Sequence, residues 1–263
     1  MRVKFAGGAF PPLALALVAL SWFALLAWGA SPYGRYMNHG DWTALGYAGV
    51  LCASLPGGSV ALLALLYATG WVVMSAAMML PTSLPLVRLF DRMIAGRPDR
   101  IVLQALLIAG YMAAWAAFGG AVHVLDAMLY ALLAGSTWLM THAWAPGAAV
   151  LAVAGAFQFS RLKYVCLDAC RSPLAFIMSY WHGPRPYREA LAFAHGVYCV
   201  GCCWALMLLM FVVGTANLVW MLGLALLMAV EKNHAWGRRL AEPLGVVLLA
   251  AACVLSIVAP MTP

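Results

Sequence analysis

EALAFAHGVYCVGCCWALMLLMFVV, residues 189 to 213, is the stretch that decides the fold. Past Glu189 it carries no charged side chain. Bilayer hydrocarbon is roughly 30 Å thick, and a helix crosses it in about 20 residues. The run is too long, and too evenly apolar, to alternate as a half-buried strand does. It predicts a membrane-spanning helix. Comparable runs lie on either side: Pro12 to Gly29, Ser59 to Leu80, Ile101 to about Val122, about Trp138 to Phe159, Thr215 to Val230, and Pro243 to Ala259. Lipid offers no water to backbone polar groups, so spanning segments are helices or closed barrels. The expected architecture is an all-α, polytopic transmembrane helix bundle of about seven spans, forming a single integral membrane domain over residues 1–263.

Composition points the same way. Of the 263 residues 66% are hydrophobic and 9% charged, with a mean hydropathy of +0.93. A soluble domain carries about 25% charged residues, so this chain lacks the charge to cover a water-facing surface. In a soluble protein the net charge of +7 would suggest nucleic acid. Here the basic residues read as topology signals, and no nucleic-acid partner is expected. Arg2 and Lys4 precede the first span, Arg88, Arg92, Arg97 and Arg100 follow the second, and Arg161, Lys163, Arg171, Arg185 and Arg188 precede the fifth. Lys232, Arg238 and Arg239 lie between the last two. With seven spans and a cytoplasmic N-terminus, fourteen of the fifteen lysines and arginines face the cytoplasm and only Arg35 lies outside. Splitting the region from His123 to Phe159 into two spans would turn five of them outward. One span there leaves about Asp126 to Leu139 as a short external helix between spans three and four. The N-terminus also resembles a signal peptide, but its apolar core is long for one, and an uncleaved first span is expected. The expected location is the bacterial inner (cytoplasmic) membrane, multi-pass, with the lipid bilayer as partner.

The opening stretch also carries chemistry. His195, Cys199 and Cys202 stand at i, i+4 and i+7, one face of a helix, with Cys203 at its edge. KYVCLDACRSP, residues 163 to 173, repeats the spacing with Cys166 and Cys170. Met207 and Met210 continue the first stripe, and Trp71, Met74 and Met78 line one face of span two with Met79 beside them. Pro81 and Pro85 are expected to break or kink that helix near its cytoplasmic end. Thiolate, imidazole and thioether donors together suit copper(I) first and zinc second. The candidate metal ligands are therefore Cys199, Cys202, Cys203, His195, Cys166, Cys170, Met78 and Met74. Against this, free cysteine often packs as a small hydrophobe, which is the reading for Cys52 and Cys253. Cytoplasmic thiols stay reduced, so no structural disulfide is expected at the inner clusters. Asp168 and His182 read as solvated loop residues, and Glu231 with Lys232 as an interfacial ion pair. Met37, His39, Asp41, His123, Asp126, Met140 and His142 are spread over the outer face as a weaker capture set.

AMMLPTSLP (Ala77 to Pro85), QFSRLKYVCLDACRSP (Gln158 to Pro173), HGVYCVGCCWALM (His195 to Met207) and NLVWMLGLALLMAVEK (Asn217 to Lys232) occur in that order. Together they resemble an uncharacterised bacterial family of predicted metal-binding integral membrane proteins, over about Trp71 to Lys232. The resemblance carries the family's cysteine pattern onto Cys166, Cys170, Cys199, Cys202 and Cys203, its proline-flanked methionines onto Met78 and Met79, and its histidine onto His195. One departure stands out: Ser160-Arg161 occupies the place of a Thr-Pro pair and puts the local turn in question.

These readings imply a membrane protein that binds a soft metal at an inner-leaflet Cys/His site, in metal transport or trafficking. The alternatives are a non-transporting accessory or assembly subunit of a membrane enzyme, and a membrane thiol redox protein built on the Cys199-x-x-Cys202 spacing. A metallochaperone or a membrane enzyme subunit is the expected protein partner. Walker, HExxH and nucleotide-binding glycine motifs are absent from the sequence, and an enzyme is the less favoured reading.

Overall fold

Backbone that cannot bond to water bonds to itself, and every regular element among the described residues is helical. The computed structural model describes residues 12–31, 60–142, 144–180, 185–214 and 217–259. Helix α1 spans Pro12–Ala30, α2 Val60–Met93, α3 Arg100–Gly135, α4 Thr137–Thr141, α5 Ala145–Phe157 and α6 Arg161–Arg171. Then come α7 Pro173–Tyr180, α8 Arg185–Leu208, α9 Met210–Val213, α10 Leu218–Asn233, a 3₁₀ turn Gly237–Leu240, and α11 Ala241–Val258. Arg2, Lys4, Arg35, Met37, His39, Asp41, Cys52 and His182 lie outside the described residues, as do the side chains of Met140, Arg185 and Arg188.

Five described stretches are long and apolar enough to cross a membrane: Pro12–Ala30, Leu65–Met93, Arg100–Leu129, Leu191–Val213 and Gly237–Val258. The expected fourth span is shorter than its hydropathy suggests. Helix α5 has 13 residues, and α6 leaves it at 66°, so the two make a sixth crossing only as one bent span. The expected sixth span corresponds to α10, whose 16 residues fall short of the roughly 20 that a full crossing takes. Most of the expected external helix belongs instead to α3, which runs on to Gly135, because no glycine or proline stands between Gly120 and Gly135. Only the five-residue α4 is separate.

Helix α2 corrects the expected break at its prolines. It passes through Pro81 and Pro85 without a break and continues to Met93. A proline at 81 takes away the N–H that Ala77 O would accept. The indole Nε1 of Trp22, on α1, donates to Ala77 O at 3.2 Å instead. Nearby, Thr82 Oγ1 donates to Met79 O at 2.8 Å and Ser83 Oγ to Leu80 O at 2.9 Å. Side chains thus supply hydrogen bonds along the proline-containing turns. Trp22→Phe is expected to orphan the Ala77 carbonyl at a cost of about 1–3 kcal/mol. That corresponds to a fall of several degrees in Tm in detergent, at about 2–4 °C per kcal/mol for a chain of this size. An unchanged Tm would mean that the indole bond carries no weight.

Helix α8 lies at the centre, packed by α3 and α6, while α2 contacts α1, α3 and α10, and α11 pairs with α5. Small residues let the central helices approach closely. A Cβ on Gly196 would stand 2.6 Å from Ala114 Cβ and 2.9 Å from Tyr111 O, and one on Gly110 would stand 2.7 Å from Ala192 Cβ. Gly214, at φ 95°, turns the chain out of α9 in a conformation that favours glycine. Between α2 and α3, Asp91 accepts both forks of Arg100, at 2.8 and 2.7 Å, and a further bond from Gln104. At the α5–α6 bend Gln158 is fully buried and donates Nε2 to Ala154 O at 3.0 Å. Ser160 caps α6, its Oγ accepting from Lys163 N at 3.1 Å. The serine that departs from the Thr-Pro pattern therefore starts the helix properly.

Candidate metal centre

The inward stripe of α8 contains Ala192, His195, Cys199, Cys202, Cys203 and Leu206, all buried. Their spacing follows the helical period, so the sequence alone puts them on one side. Helix α6 lies against this side and adds the second cysteine pair. Cys170 neighbours both Cys199 and Cys202, and Cys203 neighbours the same two. Cys166 packs over Gly201 of α8, where a Cβ would come 2.6 Å from its Sγ. The Cys202 and Cys203 thiols donate to Cys199 O at 3.1 and 2.8 Å. From α2, Met79 Sδ stands 3.8 Å from Cys203 Sγ. From α3, Tyr111 OH donates to Met79 O at 3.0 Å and meets Cys199 Sγ at 2.9 Å.

Helix α10 adds a cation. Lys232 Nζ donates to Cys199 Sγ at 2.9 Å, to Cys203 Sγ at 3.5 Å and to Thr82 Oγ1 at 3.3 Å. The expected Glu231–Lys232 pair does not form, because neighbours on a helix point in different directions. Glu231 turns instead to α6, where Lys163 Nζ donates to both carboxylate oxygens at 3.0 Å and also to Gln158 Oε1. At the other end of α6, Arg171 donates to Glu231 O and, at 3.1 Å, to Ala235 O. Lys163 and Arg171 fix the helix that carries Cys166 and Cys170 against the helix that carries Lys232.

His195 sits one turn before Cys199, buried, its ring 5.7 Å from Tyr111 and 5.2 Å from Phe176. Its Nδ1 has no hydrogen-bond partner, and it borders a cavity of about 10 Å³, room for about one water. The other predicted residues are placed differently. Met74, Met78 and Met207 are buried in the core, and the thioether that meets a thiol is Met79. Asp168 is half exposed and faces Arg238 at 3.4 Å. Of the outer set, the His123 ring lies tilted against Tyr67, centroids 4.5 Å apart, and Asp126 is buried, while His142 Nδ1 bonds Trp138 O at 2.8 Å. Cys253 is exposed on α11.

Among the described residues no group of three or more His, Cys, Asp or Glu side chains is set to hold a metal as it stands. The thiols are turned onto the Cys199 carbonyl and one another, and an ammonium occupies the cationic position beside Cys199. Their chemistry nonetheless fits a soft cation: Cys170 and Cys203 each neighbour Cys199 and Cys202, a thioether lies at the edge, and an imidazole has a nitrogen to spare. Lys232, Tyr111 and Thr82 were not anticipated as parts of this centre. A signal for Lys232 exists in the sequence, since it continues the buried stripe Met221, Leu224, Ala225, Met228 at helical steps.

No curated protein and no solved structure matches the chain. A family model described as PpoB2, copper chaperone, matches residues 68–255, from the first third of α2 to near the end of α11 and across every helix that contributes to the thiol centre. With more than half of its length inside that match, the chain belongs to the PpoB2 copper chaperone family.

Proposed function

We propose that the protein is an integral membrane copper chaperone that holds Cu(I) between α6 and α8 and hands it on without carrying it through a pore. The observation that carries this reading is the meeting of Cys170 on α6 with Cys199 and Cys202 on α8, with Cys203 beside the same two thiols. Soft, polarisable sulfur selects Cu(I) over harder cations. On binding, Cys202 and Cys203 turn from the Cys199 carbonyl toward the ion, and His195 Nδ1 and Met79 Sδ stand by as neutral donors. The arginine distribution and the apolar helices support a multi-pass inner-membrane protein with this centre at the inner leaflet. Cys170 is the least buried of the four thiols, and its chain neighbour Ala169 lines an open groove of about 530 Å³ with Ser172, Phe176, Tyr180 and Tyr198. It is the natural point of exchange with a metallochaperone or a membrane enzyme subunit.

A chaperone fits better than a transporter because the sparse polar groups do not line a path. Gln104 is bound to Asp91, Asn217 caps α10 by accepting from Trp220 N at 3.0 Å, and Thr69 is exposed. Elemental analysis of the purified protein reconstituted with Cu(I) under reducing conditions tests the reading. The wild type is expected to retain about one copper per chain, and Cys199→Ser with Cys202→Ser to retain none. A wild type that binds no copper, or a double variant that binds it unchanged, would refute it.

A further inference from the structure

We propose that Lys232 is the charge-balancing residue of the copper centre, its ammonium neutralising the bis-thiolate that Cu(I) forms there. The inference rests on the copper reading above and asks what makes that site electrically suited to the ion. Lys232 is 6% exposed, and the partners of its Nζ are Cys199 Sγ, Cys203 Sγ and Thr82 Oγ1. Glu231, the adjacent carboxylate, has both oxygens on Lys163. An ammonium buried against sulfur and hydroxyl is costly unless an anion faces it. A copper-loaded thiol pair supplies that anion. Two sulfur–copper bonds form, the protons those sulfurs carried leave to water, and copper stays Cu(I). One cation and two thiolates give a net charge of −1, and the ammonium brings the site to zero. The sulfurs keep lone pairs for the Lys232 hydrogen bonds, so the lysine need only slide aside as the ion arrives.

Charge counting makes the proposal testable, because Hg(II) binds two thiolates in the same linear geometry with one more positive charge. Its bis-thiolate is neutral alone and +1 beside the ammonium. A lysine that only fills space affects both ions alike, whereas a charge-balancing lysine affects their ratio. Cu(I) and Hg(II) affinities are measured by competition in detergent for the wild type, Lys232→Gln and Lys232→Arg. The ratio of Cu(I) to Hg(II) affinity is expected to fall at least about tenfold in Lys232→Gln and to stay within about threefold in Lys232→Arg. A wild type that binds Cu(I) with an unchanged ratio in Lys232→Gln overturns the role of the lysine and leaves the copper reading standing. A wild type that binds no Cu(I) overturns the copper reading itself. Should Lys232→Gln not fold, X-ray absorption of the copper-loaded wild type decides. Two sulfurs per copper are expected, and three thiolate sulfurs would leave the site at −1 and overturn the proposal.

Discussion

Lys163→Met is expected to lower the Tm of the detergent-solubilised protein by on the order of 10 °C. Lys163 is fully buried and Glu231 nearly so, and the ammonium bridges both carboxylate oxygens at 3.0 Å while also holding Gln158. Removing the lysine strands a buried carboxylate without its cation. Breaking a buried pair from one side costs about 3–5 kcal/mol. At about 2–4 °C per kcal/mol, that gives the stated fall. Glu231→Gln is expected to behave similarly. The double variant Lys163→Met with Glu231→Leu should recover most of the loss, since a buried pair exchanged for apolar side chains is often neutral. A single variant within a degree or two of wild type would mean that the pair is not shielded from water as described. Copper retention follows stability here, because the same pair holds α6, with Cys166 and Cys170, against α10.

That ion pair also marks the boundary of what the sequence reveals. The α8 stripe was legible because a helix repeats every 3.6 residues, so the face shared by His195, Cys199 and Cys202 follows from spacing. The pairing of Cys166 with Cys170 followed for the same reason. Which helix meets which does not follow from spacing. Glu231 beside Lys232 reads as a local pair, yet each reaches a different partner, Lys163 and Cys199, far away in the chain. Met79 was preferred less than Met78 because the choice depends on how α2 is rotated against α8. The carbonyl that Pro81 leaves free in α2 is met by Trp22, an indole on a helix whose docking no local rule gives. Apolar run length gave the long helices, but it overstated the fourth, where α5 ends at a capped bend; the expected sixth falls on α10 with the same length of 16 residues.

Gly196→Val is expected to separate α3 from α8 and to expose the centre while leaving every thiol in the chain. Even a Cβ at this position would lie 2.6 Å from Ala114 Cβ and 2.9 Å from Tyr111 O. The second contact is backbone, so no side-chain rotation relieves it, and the helices must shift. Overpacking of this kind costs about 1–3 kcal/mol, a fall in Tm of several degrees. Its functional consequence is larger. Tyr111 is the residue whose backbone is pushed, and its hydroxyl lies 2.9 Å from Cys199 Sγ and bonds Met79 O. Moving α3 outward takes this hydroxyl from the thiol and lets reagent reach a cysteine that is 1% exposed. Alkylation of Cys199 by a small maleimide should quicken by about tenfold or more over wild type. Gly201→Ala provides the contrast. Its added Cβ meets Cys166 alone, Sγ at 2.6 Å and Cβ at 3.4 Å, and the close contact is a thiol that can rotate away. That variant should keep a near-native Tm and slow Cys199 alkylation. Equal effects from the two would show that the α3–α8 approach does not position the centre.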